Sequence, residues 1–265
     1  MKTSYGKTIF VTAAITLVSL ISCVVLFVGV MFALCPGRSG DFAYNVGYDG
    51  LASSLYYKEY TYSGDVARLY QALNVAIENG KYAKVIEYYE EFRNNEYYDK
   101  FVDYKIECAK NENVDTLVKA GLLNEREYLE RNYVKALVKK GKEKKAFNFA
   151  LNSFKADKIY TLDKTGIYAL SYFTEDKYFD DVYVKEGVTL REGIELYVDE
   201  LYRVFTNNQA SNSSLDDAYL VSLGNKIVLV SEHINSMLDS GDARVSINNG
   251  YITNVNNVLQ GILGN

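Results

Sequence analysis

The sequence predicts an all-α protein, with an N-terminal transmembrane helix followed by layered α-hairpins. Three observations lead there. Residues 8–37 carry no charged side chain. Beyond them, apolar residues recur at helical period in successive runs divided by glycine-containing turns. The 265 residues include a single proline, whereas β-rich chains place proline and glycine at many turns. Hydrophobic residues make up 48% of the chain, enough to build a substantial core and to exclude intrinsic disorder. With 29 Lys+Arg against 34 Asp+Glu, the net charge is -5, which excludes the basic footprint of a nucleic-acid-binding domain.

The segment from Thr8 to Gly37 is the membrane contact. About 20 apolar residues already cross a ~30 Å hydrocarbon core as a helix. A cleaved signal peptide has an apolar stretch of roughly 7–15 residues, so the longer run here fits an uncleaved anchor. Leu20-Ile21-Ser22-Cys23 also fits a bacterial lipobox, with Cys23 as the lipidated residue after cleavage. The apolar Val24, Val25, Leu26 and Phe27 that follow do not suit the polar tether of a mature lipoprotein. Lys2 and Lys7 precede the span, and the positive-inside rule then makes residues 1–7 a cytoplasmic tail. The expectation is a single-pass plasma-membrane protein whose main domain is extracytoplasmic.

The remaining elements follow from periodicity. Val66, Leu69, Tyr70, Leu73, Ala76 and Ile77 form a helical stripe that Asn79-Gly80 ends, and Tyr82, Val85, Ile86, Tyr89 and Phe92 form the next. Tyr97, Phe101, Tyr104 and Cys108 share a third face, which makes Cys108 a small core residue. With Cys23 and Cys35 in or at the end of the span, that domain has no internal disulfide. Leu129, Tyr133, Ala136 and Leu137 run to Gly141, and the pattern restarts with Ala146, Phe147, Ala150 and Leu151. Short turns force such helices to pack antiparallel, giving a helical domain over 41–158.

Residues 159–188 lack a sustained period and suit a short helix with irregular loops or a small hairpin. Residues 189–265 return to helix. Ile194, Val198 and Leu201 share a face, and Asn207 to Ser214 reads as a flexible connection. Leu220, Leu223, Ile227, Val230, Ile234 and Met237, then Ile252, Val255, Leu259 and Ile262, repeat three-four spacing on either side of Ser240-Gly241-Asp242. This spacing also suits a coiled-coil dimer, but so short a run predicts a helical hairpin packed within one chain.

Gly80-Lys81-Tyr82 followed by Tyr89 resembles the G-x-Y turn and second-helix tyrosine of tetratricopeptide repeats. Gly141 with Ala146, and Gly241 with Ser246, keep a small residue five positions on. Val85 at the small position and Glu143 at the aromatic one mark the similarity as divergent. The chain thus resembles membrane-anchored, TPR-like helical-repeat proteins of Gram-positive bacteria. The resemblance implies an α-solenoid that presents a concave groove to a protein or peptide partner. It transfers no functional residue.

Catalytic chemistry has few starting points. His233 is the only histidine, and it falls in a long helical pattern. No H-E-x-x-H, CxxC, G-x-S-x-G or Walker motif occurs, so neither a metal nor a cofactor is expected. The adjacent pairs Glu90-Glu91, Asp180-Asp181 and Asp216-Asp217 leave open a cell-envelope-acting enzyme or carbohydrate-binding module using carboxylates. Neighbours on a helix do not face each other, however, so the pairs read as solvated. The 25 tyrosines say more. Tyr82, Tyr89, Tyr97, Tyr104 and Tyr133 fall at helical spacing and belong to the core. Tyr56-Tyr57, Tyr60, Tyr62, Tyr88 and Tyr98 cannot all face inward. A groove lined by Tyr56, Tyr60, Tyr88 and Tyr98 is the expected partner-binding surface.

Overall fold

The computed structural model describes residues 3–102, 125–156, 167–170, 172–173, 175–210, 217–238 and 249–263. The chain forms two units, Met1–Asn95 and Glu96–Asn265. The stretch 41–158, expected as one helical domain, is divided between them.

In the first unit, α1 (Thr3–Leu34) takes in most of the expected N-terminal tail and the apolar run. Its window Ile9–Leu34 has a mean hydropathy of 2.8, and none of its side chains is buried in the protein. The helix stops three residues earlier than the apolar composition suggests. Cys35 leaves helical geometry and Pro36 opens α2 (Pro36–Asn45), where a missing N–H costs nothing. Pro36 and Gly37 are buried among the helices of this same unit.

α3 (Asp49–Ser63), α4 (Val66–Glu78) and α5 (Tyr82–Arg93) complete this unit, each packed on its predecessor. Asp65 caps α4 by accepting the Ala67 N–H at 2.9 Å. Gly80, at φ 60°, ends α4 in a Schellman turn, with Lys81 N–H on Ala76 C=O at 2.9 Å and Gly80 N–H on Ile77 C=O at 3.0 Å. Only a residue free of a Cβ penalty adopts that φ cheaply, which is why the sequence marks the turn with glycine. The predicted stripes meet here, with Leu69, Leu73, Ala76, Val85, Tyr89 and Phe92 all buried.

The second unit contains a hairpin of α6 (Glu125–Lys139) and α7 (Glu143–Ala156), turned by Gly141 as Gly80 turns the first. The short α8 (Ile167–Leu170) packs on both helices. A 3-10 turn at Asp176–Tyr178 leads to an antiparallel pair, β1 (Tyr183–Lys185) and β2 (Val188–Thr189), with Tyr183 opposite Thr189. The undecided stretch 159–188 therefore contains both a short helix and a hairpin, the one β-element among the described residues of a mostly helical chain.

Three helices follow, one carrying the Ile194, Val198 and Leu201 face and two forming the C-terminal pair. α9 (Leu190–Ala210) packs on α10 (Asp217–Leu238), which packs on α11 (Asn249–Leu263). α9 is helical through Asn207–Ala210, the first half of the anticipated connection. Ile194, Val198, Leu201, Leu223, Ile227, Val230, Val255 and Leu259 are buried, so the three-four stripes pair within one chain. Two glycines permit close approach. A Cβ on Gly193 would meet Val184 Cγ2 at 2.8 Å, and one on Gly224 would meet Val255 Cγ1 at 2.9 Å. Tyr104, Cys108, Asp216, Gly241 and Ser246 lie outside the described residues.

Candidate functional site

The expected tyrosine groove does not form as drawn. Tyr56 is 4% exposed, Tyr88 3% and Tyr98 5%, and only Tyr60 is partly accessible. Tyr98 also belongs to the second unit, where the Arg126 guanidinium lies over its ring at 5.3 Å and bonds Asp99 at 3.0 Å. Tyr97, expected in the core, is 52% exposed. Adjacent tyrosines can both be covered because α3 has neighbours on two sides. Tyr56 faces α2, its ring so close to Gly40 that a Cβ there would stand 2.8 Å away. Tyr57 faces α5, stacked on Tyr88 with ring centroids 4.4 Å apart and donating to Glu91 Oε2 at 2.6 Å.

These two faces have different chemistry. On the α2 side, Arg68 reaches Asp41 with both nitrogens, at 2.9 and 3.4 Å, and lies over the Tyr56 ring at 5.4 Å. Burial, reinforced by the hydrogen bond to Asp41, pushes the Tyr56 phenol up to about 12. Asp41 also raises the Arg68 pKa through its hydrogen bond. On the α5 side, the hydrogen bond to Glu91 and then burial hold the Tyr57 phenol far above the usual tyrosine range, and burial takes Tyr88 to about 12. Lys84 donates to Gly50 C=O at 3.3 Å and to the Ser54 hydroxyl, and desolvation lowers its pKa. Contacts 50–84, 57–88 and 57–91 advance together along both helices, so α3 and α5 run parallel. Their shared outer edge presents half-buried Tyr57 and Tyr60 beside exposed Glu87.

Glu91 accepts from Tyr57, and Asp180 bonds Arg191, with Oδ2 to Nη2 at 3.0 Å. Asp217 starts α10, and His233 lies further along the same helix. Among the described residues, no group of three or more His, Cys, Asp or Glu is placed to hold a metal.

A buried charged group in the second unit is absent from the sequence-based candidates. Glu127 and Glu130 of α6 are each 4% exposed and Lys226 of α10 is 2% exposed, with Lys226 Nζ at 3.2 Å from Glu127 Oε1 and 5.9 Å from the Tyr197 ring centroid. A signal for it exists. Glu130 stands three and seven residues before Tyr133 and Leu137, and Lys226 stands three after Leu223 and four before Val230, so both charges fall on apolar stripes.

No protein-family model matches the chain, and no curated protein or solved structure is detectably similar to it.

Proposed function

We propose that this protein is a single-pass, membrane-anchored interaction scaffold, with residues 1–7 cytoplasmic and the helical units on the outer face of the plasma membrane. The observation that carries this reading is α1, apolar on every side, free of protein cover and joined through Cys35 to a packed helical unit. A helix of this kind in water would expose far more apolar surface than soluble monomers tolerate. The alternation of α2 to α5, with glycine at a tight turn and a helix parallel to the next but one, supports a TPR-like layering. The α3–α5 edge, with Tyr57, Tyr60 and Glu87, is the surface we assign to a protein or peptide partner. Tyrosine offers large contact area at small entropic cost there.

Two measurements test this. A cysteine at Ser63, in a chain whose own cysteines are changed to serine, should react with a membrane-impermeant maleimide on intact cells. Protection until the cells are opened would overturn the orientation. A photo-crosslinking residue at Tyr60 in native membranes should give a discrete protein adduct that the same residue at Lys139 does not. Equal labelling at both positions would remove the assigned edge.

A further inference from the structure

Exposed large apolar side chains outside α1 are unevenly distributed among the described residues. Phe42, Tyr44, Val46, Tyr48, Leu51 and Tyr62 all lie on α2, α3 and the turn between them, whereas only Tyr97, Tyr183 and Leu196 lie elsewhere. α2 buries Pro36, Gly37, Ser39, Gly40 and Ala43 and turns Arg38, Phe42 and Asn45 outward. Phe42 is 66% exposed and Tyr48 67%. These are values of side chains with no protein neighbour to cover them.

Their distance from α1 identifies what could cover them. Phe42 is eight residues beyond Leu34, on the order of 12 Å of chain at helical rise. The headgroup layer extends roughly 5–8 Å beyond the hydrocarbon on each side of a bilayer. The apolar window Ile9–Leu34 is 26 residues long, about 39 Å as a helix, and a span longer than the ~30 Å core accommodates by tilting, which lowers one side of the attached unit toward the surface. The junction is also braced. Lys58 Nζ donates to Phe32 C=O at 3.2 Å, and Gly37 N–H donates to Glu59 Oε2 at 3.2 Å, so α3 holds both the last turn of α1 and the first turn of α2. Tyrosine, with an apolar ring and a polar tip, is the residue type that concentrates at membrane interfaces.

We propose that Phe42, Tyr44, Val46 and Tyr48 form a membrane seat, with the outer face of α2 and the α2–α3 turn lying in the headgroup layer of the bilayer that α1 crosses. The proposal rests on α1 being a membrane span. The seat fixes the first unit against the lipid surface, so its α3–α5 edge is presented at a set height.

The chain contains no tryptophan, so single substitutions give clean probes. The full-length chain carrying Phe42→Trp, and separately Val25→Trp within the span, is reconstituted into phosphatidylcholine vesicles whose acyl chains bear bromine near the headgroup or near the tail end. Phe42→Trp should emit blue-shifted light and lose most of it to the headgroup-proximal bromines, with less loss to the deep ones. Val25→Trp should show the reverse preference. Quenching of Val25→Trp with water-exposed, unquenched emission from Phe42→Trp overturns the seat and leaves the span intact. Blue-shifted but unquenched emission from Phe42→Trp overturns it in favour of a protein or second-copy cover. Absence of quenching at both positions removes the span and the seat together.

Discussion

Lys226 of α10 and Glu127 of α6 form an ion pair, Nζ to Oε1 3.2 Å, in which both side chains are almost fully withdrawn from water, 3% and 4% exposed. Their desolvation is offset only while both are present. Lys226→Met, which keeps the length and removes the charge, should destabilise the fold by about 3–5 kcal/mol. The double variant with Glu127→Leu should recover much of that loss. Urea unfolding followed by circular dichroism checks both, and equal midpoints for the two variants would contradict the pairing.

Gly224 sets how closely α10 approaches α11. Gly224→Ala drives a methyl into Val255 Cγ1 at 2.9 Å and Leu259 Cδ2 at 3.1 Å, and overpacking of this kind costs about 1–3 kcal/mol. Gly250, near the start of α11, has no heavy atom within 4 Å of the same position, so Gly250→Ala should stabilise by about 0.4–1 kcal/mol. Thermal melts of the two variants should therefore move in opposite directions.

Tyr56 is a packing residue and Tyr60 is an edge residue. Tyr56→Ser removes a buried ring from the α2–α3 contact and should cost about 3–5 kcal/mol, whereas Tyr60→Ser should leave the melting temperature within a few degrees of the parent. Tyr56→Phe keeps the buried ring and should cost no more than about 1 kcal/mol. Melts of all three variants check the order, and any loss of partner binding by Tyr56→Ser reads as loss of structure.

Alkaline titration separates the same groups. Tyr56 and Tyr88 stand at about 12 in the folded chain against an ordinary value of 10.0. The folded state therefore holds protons that the unfolded state releases between these values. Stability from this source is fully present below pH ~10 and is lost as pH rises toward ~12. Ultraviolet absorbance should show a first tyrosine wave near pH ~10 and a later one that coincides with loss of helix. Tyr88→Phe should shrink the later wave and leave the first unchanged.

Periodicity alone located α4, α5, α6, α7, α9, α10 and α11, because a helix that buries one face must repeat its apolar residues every three or four positions. α1 was as legible, since lipid demands apolar character on every face. Turns at Gly80 and Gly141 could be read because each needs a positive φ. The candidate site was harder to read. Exposure of Tyr56 and Tyr88 was inferred from adjacency to other tyrosines, a rule that fails once a helix is covered on two sides, as α3 is by α2 and α5. Glu127 and Lys226 stand 99 positions apart, and neither explains the other until α6 and α10 are brought together.

The sequence by itself determined α4 to α7 and α9 to α11, the turns at Gly80 and Gly141, and which segment is suited to lipid, because those properties depend on residues within a few positions of one another. Only the tertiary structure decided which tyrosines are core and which are edge, that Gly40, Gly193 and Gly224 mark close approaches, and that a lysine and a glutamate share a buried site. Each of these depends on which helix faces which, and neighbouring helices are chosen by packing over distances that no local pattern encodes.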